Sequence, residues 1–178
     1  SIGAISLLFI LGLVLPGLPF KFWNNDIPEG DWEYVSNMGW GILPNIDVPH
    51  DPYTSNPATS GPFLDEKWGC PVRWGYHDDI FPDECTLSNL ARGGIMIHYK
   101  QGAPKEIIEQ LKATLLGANL SEITIAPYND MDNLISLTAW NYIDRLNKFD
   151  RERIFKFIDV FLNNPTLSPF YAKKGHLD

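Results

Sequence analysis

The side chains of this sequence that are best suited to bind a metal ion or to move a proton are four histidines and two cysteines. They are His50, His77, His98, His176, Cys70 and Cys85. His98 lies inside the β-branched run IMIHYK, where a single histidine is more often a structural residue than a ligand. We therefore interpret His98 as structural, with metal ligation as the alternative.

A short acidic stretch, GYHDDIFPDE at residues 75–84, is the densest group of possible metal ligands. Carboxylate oxygens suit Ca²⁺, so a calcium site near His77 is conceivable. The spacing of the acids matches no EF-hand loop, however, and an acidic turn in water is the simpler interpretation. The sequence therefore predicts no metal site here.

Motifs for nucleophilic or nucleotide chemistry are absent from the sequence. There is no G-x-S-x-G elbow, no reactive cysteine beside a base, no Walker loop and no G-x-G-x-x-G. Ser60 stands in TSGP, which is typical of a turn, and Gly93-Gly94 precedes a strand instead of following one. We expect neither enzymatic activity nor a cofactor.

The two cysteines are separated by fourteen residues. In an oxidising compartment, a disulfide that closes a loop of this size contributes about 3 kcal/mol of stability. We predict a Cys70–Cys85 bridge, with two unpaired thiols as the alternative.

The composition fits a folded, acidic protein. Apolar residues make up 44% of the 178 residues, which is sufficient for a packed core. The net charge of −8, without a cluster of lysine and arginine, argues against a nucleic-acid partner.

Residues 1–20, SIGAISLLFILGLVLPGLPF, carry no charge and are about as long as a helix that crosses a bilayer. We expect a single transmembrane anchor that ends near Leu15, because Pro16, Gly17 and Pro19 follow. A signal-like segment and a buried core helix are the alternatives. The acidic residues downstream place the remainder outside the cytoplasm by the positive-inside rule. The aromatic side chains expected at the membrane surface or at a protein interface are Phe20, Phe22, Trp23, Trp32 and Trp40.

Beyond the anchor, three regions differ in pattern. Residues 21–82 are rich in proline, glycine and tryptophan without periodicity, which predicts an extended segment that packs onto another surface. Residues 83–164 form the predicted globular domain, and residues 165–178 an irregular tail. Within the domain, the pattern predicts a strand at IMIHYK, a helix after Pro104, strands at SEITIAPY and LISLTAWNYI, and a helix capped by Asp150. The expected fold is α+β (or α/β), a mixed sheet packed by two helices.

Four stretches carry a family resemblance: TSNPATSGPF, SNLARGGIMIHY, PKEIIEQL and LTAW. They resemble a bacterial membrane-anchored family of unknown function, DUF3105, over about residues 53–162. The typical family pattern reads TSGPH and HNLEHGG. The resemblance implies that three histidines and a glutamate converge there and could hold a transition metal.

This chain departs from that pattern at each histidine. The three histidine positions are occupied by Phe63, Ser88 and Arg92, and the glutamate position by Ala91. Phenylalanine cannot ligate a metal, and arginine repels a cation. The resemblance thus implies a degenerate member that keeps the scaffold without the imidazoles.

Three functions are compatible with this sequence. We favour a non-catalytic accessory subunit in the bacterial inner membrane, whose periplasmic domain stabilises a larger complex of integral membrane proteins, photosynthetic or respiratory. The first alternative is an extracytoplasmic metal-binding protein or enzyme that uses His50, His77 and His98. The second is a pigment- or small-ligand-binding accessory protein with an aromatic pocket.

Overall fold

The computed structural model describes residues 27–116, 121–162, 164 and 166–170. Within these residues, no helix combines the length and apolar character needed to cross a membrane. The predicted anchor at residues 1–20 lies outside the described part of the chain, as do Phe20, Phe22 and Trp23.

The described chain contains eight strands and three helices longer than one turn. The strands are β1 (Glu33–Tyr34), β2 (Trp40–Ile42), β3 (Gly61–Phe63), β4 (Gly75–Tyr76), β5 (Ile95–Lys100), β6 (Ile123–Tyr128), β7 (Ile135–Ala139) and β8 (Tyr142–Leu146). The helices are α1 (Asp83–Ala91), α2 (Lys105–Leu116) and α3 (Arg151–Phe161), and a 3₁₀ turn spans Glu66–Trp68. These elements confirm an α+β fold.

Six of the strands form one mixed sheet in the order β1-β8-β7-β5-β6-β4. Its centre is β5, which runs parallel to β6 and antiparallel to β7. The parallel pair is joined through α2, since parallel neighbours need a crossover connection. Strands β2 and β3 form a separate parallel pair. The outermost strands, β1 and β4, are two residues long.

The stretch LISLTAWNYI, predicted as one strand, is a hairpin. Strand β7 ends at Ala139, the chain turns at Trp140-Asn141, and β8 pairs antiparallel with β7. Asn141 adopts a φ of 66°, a left-handed conformation that asparagine tolerates better than most residues. The turn contains no glycine or proline, so the sequence pattern gave little sign of it.

One face of the sheet is apolar and carries the main core. Ile95, Ile97 and Tyr99 alternate along β5 and are almost completely buried beneath α2 and α3. Helix α3 presents Ile154, Phe157, Ile158 and Phe161 to this core. Its predicted cap is confirmed, because the Asp150 carboxylate accepts a hydrogen bond from the Arg153 amide at 3.1 Å.

The opposite face of the sheet is covered by α1, a helix that the sequence analysis did not predict. The number of packed helices is therefore three instead of two. The buried residues of α1 include Thr86, Ser88 and Asn89, so the helix lacks the apolar stripe by which amphipathic helices are recognised. The buried Asn89 is hydrogen-bonded: its side-chain amide accepts from the N–H of Val72 at 2.8 Å and donates to the C=O of Val72 at 2.7 Å.

The predicted disulfide is present between Cys70 and Cys85. It joins the loop after the 3₁₀ turn to the first turn of α1. Cys70 is buried with Leu43 and Leu64 in a small cluster of its own. The bridge therefore fixes the Trp- and Pro-rich segment to the helix that covers the polar face.

Candidate functional site

The three positions at which the family resemblance implies histidines lie together in the structure. Phe63 ends β3, Ser88 lies in α1, and Arg92 directly follows that helix. The Arg92 guanidinium donates hydrogen bonds to the carbonyl and to the hydroxyl of Ser88, at 2.9 and 2.5 Å. Burial lowers the pKa of Arg92 from its ordinary value, and Glu66 and Asp65 oppose that effect.

Aromatic rings close this region. The Phe63 ring is completely buried and meets the rings of Trp140 and Phe170 edge-on, with centroids 6.2 and 5.9 Å away. The Trp40 ring is stacked on Phe63 at 6.5 Å. We call Trp40, Phe63, Trp140 and Phe170 the aromatic cluster. The Arg92 guanidinium lies 5.2 Å from the centre of the Phe170 ring, within the range of a cation–π interaction.

Directly after Arg92, the chain turns sharply at Gly93 and Gly94, where α1 ends. The amide of Gly93 donates to Leu90 and that of Gly94 to Asn89, and Gly93 has a φ of 87°. A Cβ on Gly94 would lie 2.5 Å from the Trp74 ring, so only glycine fits there. The Ser168 hydroxyl donates to the carbonyl of Ala91 at 2.5 Å and holds the C-terminal segment, with Phe170, against α1.

These residues do not fit a transition metal. The cluster offers a guanidinium, a hydroxyl already bonded to it, and aromatic rings, whereas such metals prefer imidazole, thiolate or carboxylate. Nowhere in the described part of the chain do three histidine, cysteine or acidic side chains gather closely enough to hold an ion. The arrangement can stabilise a packed surface, and it supplies no general base at the family positions.

A second group of polar side chains lies at the other end of α1, where the helix begins. The Tyr128 hydroxyl oxygen lies 2.6 Å from Asn56 Oδ1 and 2.9 Å from Asp83 Oδ2. We call these three residues the tyrosine triad. Burial raises the pKa of the Asp83 carboxyl more than its contacts with Tyr128 and Ala58 lower it. The triad lines a surface recess of about 300 Å³ with an apolar wall that contains Ile80 and Phe81.

His98 lies behind the triad, on the polar face of the sheet. Its ring is 1% exposed and packs edge-on against the Tyr128 ring at 5.0 Å. Among the described residues, neither ring nitrogen has a hydrogen-bond partner, and the same is true of Thr138 Oγ1 and Asn141 Oδ1. Burial lowers the pKa of His98 to about 3, so the ring is neutral near neutral pH.

The other histidines proposed as alternative ligands have partners of their own. The two ring nitrogens of His50 lie 2.8 Å from the Asp51 carbonyl and 3.2 Å from Glu84 Oε1. The first of these contacts is the main reason that the pKa of His50 is raised. His77 Nε2 is 2.6 Å from the carbonyl of Arg73. The acids of residues 75–84 also separate, because Asp83 faces Tyr128 while Glu84 faces His50.

The two predicted interface residues that the structure describes differ in their surroundings. Trp32 packs edge-on against Phe157 and Phe161 of α3, at 6.2 and 5.2 Å. Trp40 is 41% exposed and contributes one side of its ring to the aromatic cluster. Ile42 and Ile46, which follow Trp40 in the chain, are each 50% exposed.

Two parts of these sites escaped the sequence analysis. Phe170 comes from the segment predicted to be an irregular tail, and a lone aromatic there carries no periodic signal. The tyrosine triad joins residues 72 and 45 positions apart. The one available signal was Asp83 directly after Pro82, a common start for a helix.

The fold and the site together define an α+β domain with a disulfide-tied helix over a polar sheet face and an aromatic cluster that contains Phe63, one of the positions at which the resemblance implies a histidine. The chain belongs to the family described as proteins of unknown function (DUF3105), whose model matches residues 50–175. The match covers more than half of the chain and confirms the family resemblance. No curated protein and no solved structure gives a significant match.

Proposed function

We propose that this protein is a non-catalytic accessory subunit, anchored in the bacterial inner membrane, whose periplasmic domain stabilises a larger complex of integral membrane proteins. The complex belongs to energy transduction, photosynthetic or respiratory. The anchor in this proposal is the uncharged run at residues 1–20.

The observation that carries the proposal is which residues occupy the three positions at which the family resemblance implies histidines. Phe63 is completely buried, and Arg92 is held by Ser88 and covered by Phe170. At these positions, phenylalanine and arginine stabilise the packing of the domain, but they cannot act as the ligands that metal chemistry would need. A domain that keeps its packing without its ligands suits a structural role.

The exposed apolar side chains after β1 support a protein partner. Trp40, Ile42 and Ile46 are 41, 50 and 50% exposed within seven consecutive residues of the sequence. Aromatic and large aliphatic side chains form the buried centres of protein interfaces, where a single tryptophan often contributes a large part of the binding energy. We call Ile42 and Ile46 the contact pair of this proposed interface.

The disulfide supports a location outside the cytoplasm. Structural disulfides persist in the bacterial periplasm and are rare in the cytosol. The acidic residues between 26 and 51 agree with this placement, because segments that stay in the cytoplasm are enriched in lysine and arginine.

The test is purification of the C-terminally tagged full chain from native membranes in mild detergent, followed by mass spectrometry and metal analysis. We expect the protein to co-purify in fixed ratio with the subunits of one large membrane complex and to carry no metal. A protein that purifies alone with a stoichiometric metal would contradict the proposal and favour the metal-binding alternative. A bound pigment in the isolated protein would favour the ligand-binding alternative.

A matched pair of variants tests the contact surface itself. Ile42→Asp with Ile46→Asp is expected to lower the co-purified partner at least tenfold, because it places two charges in an apolar contact. Leu116→Asp changes a side chain that is 88% exposed at the end of α2, and it is expected to leave co-purification unchanged. Equal loss in both variants would indicate general destabilisation instead of a specific interface.

A further inference from the structure

The tyrosine triad contains one hydrogen atom too few for its contacts. A tyrosine hydroxyl has a single proton to donate. The Tyr128 oxygen nevertheless lies within hydrogen-bond distance of two acceptors, Asn56 Oδ1 at 2.6 Å and Asp83 Oδ2 at 2.9 Å. If Asp83 is ionised, one of the two contacts must be shared or repulsive.

The orientation of the Asn56 amide does not remove this shortage. Its Nδ2 donates to the carbonyl of Asp130 at 2.9 Å, and rotating the amide would place an oxygen against that carbonyl. Oδ1 therefore faces Tyr128 as an acceptor. The missing proton has to come from the carboxyl group.

The charges around Asp83 also favour the neutral acid. Glu84 is its neighbour in α1, Tyr53 and Tyr128 face it, and the exposed Asp130 lies beside Tyr128. His50 pairs with the neighbouring Glu84 and not with Asp83. In the described part of the chain, no lysine or arginine forms an ion pair with Asp83. Among the described residues, the Ala58 amide also donates to Asp83, at 3.4 Å from Oδ1.

We propose that Asp83 binds a proton in the folded protein and donates it to Tyr128, which in turn donates to Asn56. The proton thereby joins three parts of the chain, namely the segment that precedes β3, the start of α1 and the end of β6. Its release places a negative charge against an acceptor oxygen and loosens the contact at the edge of the 300 Å³ recess. This proton-dependent contact does not rest on the accessory-subunit proposal.

The first test is infrared spectroscopy of the full chain during a pH titration. The C=O stretch of a protonated carboxyl group is expected to persist above the pH range in which exposed acids ionise. Asp83→Asn is expected to abolish that band, and Asp79→Asn, which changes an exposed acid nearby, is expected to leave it unchanged. Absence of any such band in the wild-type protein above the pH range in which exposed acids ionise would overturn the proposal, and this readout does not depend on a variant that folds.

The second test is hydrogen exchange of the peptide that contains Ala58. A group whose pKa is raised in the folded state stabilises it below the ordinary value, and this stabilisation is lost as the pH rises through the raised value. The protection factor of the peptide, corrected for intrinsic exchange, is therefore expected to fall with rising pH in the wild type. In Asp83→Asn, the change of this protection factor over the same pH range is expected to be at least threefold smaller. Asparagine keeps a donor for Tyr128 at every pH. An identical pH dependence in the two proteins would contradict the proposed role of the proton.

Discussion

Phe63 is the residue that most clearly separates this chain from the pattern its family resemblance implies. Its ring fills a closed space between Trp140 and Phe170. Replacing a buried phenylalanine with alanine removes its apolar surface and leaves a cavity, at a cost of about 3–5 kcal/mol. We expect Phe63→Ala to lower the free energy of unfolding by about this amount in urea denaturation. Phe63→Leu should cost less than half as much, and equal costs would indicate that the ring is not tightly packed.

A metal site can be rebuilt at the family positions if the resemblance places its histidines correctly. Ser88 in α1 and Arg92 directly after it are four residues apart and their side chains touch, so they lie on the same side of the end of α1. Histidines at this spacing bind transition metals. We expect the double variant Ser88→His and Arg92→His to be stabilised by Ni²⁺ in thermal unfolding, by an amount that increases with metal concentration.

The matched control for this prediction is Ser88→Ala with Arg92→Ala. It removes the same hydrogen bonds without adding imidazoles and should show no response to Ni²⁺. The prediction would fail if the histidine variant folds and its unfolding temperature does not depend on the metal.

His98 makes the protein sensitive to acid. Its pKa falls from 6.5 in the unfolded chain to about 3 in the fold, because burial disfavours the charged ring. A lowered pKa gives stability that is present above pH 6.5 and is lost as the pH falls towards 3. Each pKa unit corresponds to about 1.4 kcal/mol, so urea denaturation between pH 7 and pH 4 should show a loss of several kcal/mol.

Two variants separate this effect from general acid denaturation. His98→Leu has no ionisable group and should lose clearly less stability than the wild type between pH 7 and pH 4. His50→Gln should lose more stability than the wild type between pH 7 and pH 4. The raised pKa of His50 gives a contribution that is present below pH 6.5 and disappears as the pH rises through the folded value. A wild-type curve that is flat over this range would contradict the assignment of His98.

At the scale of elements, the disulfide is the strongest single constraint on α1. The bridge closes a loop between residues that are 15 positions apart, and such a loop restricts the unfolded chain by about 3 kcal/mol. We expect Cys70→Ser with Cys85→Ser to lower the free energy of unfolding by about this amount. Reduction of the wild-type protein should give a similar loss. If the free energies of unfolding with and without the bridge differ by less than about 1 kcal/mol, the bridge restricts the unfolded chain little.

The elements that the sequence predicted correctly are those with strong local signals. Strands β5 and β6 are β-branched runs, α2 follows Pro104, and α3 has both a capping aspartate and an apolar stripe. Helix α1 was missed because its buried face is polar and pairs with loop backbone, a role that depends on tertiary contacts. The aromatic cluster was missed because Phe170 reaches it from a distant segment. Local patterns thus determine elements, whereas the sites depend on contacts between residues far apart in sequence.

At the scale of the whole molecule, the central sheet separates two kinds of interior. One side is an apolar core under α2 and α3, and the other buries His98, Ser136 and Thr138 beneath α1. Buried polar groups contribute less to stability than apolar packing, and they make the structure more specific when they are satisfied. Both sites described above lie on the polar side, at opposite ends of the same helix. The apolar side therefore provides the larger hydrophobic core, while the residues of both sites lie on the polar side.

The two-residue strands at either end of the large sheet have a consequence for how copies of this protein behave beside one another. Long exposed strand edges recruit further chains through backbone hydrogen bonds, and short ones offer too few of them to do so. Within the described residues, β1 and β4 at the boundaries of the sheet offer only two residues each for such pairing. Copies crowded at one surface are therefore expected to meet few backbone groups of these two strands, and a partner that binds at either of them is expected to be recognised mainly through side chains.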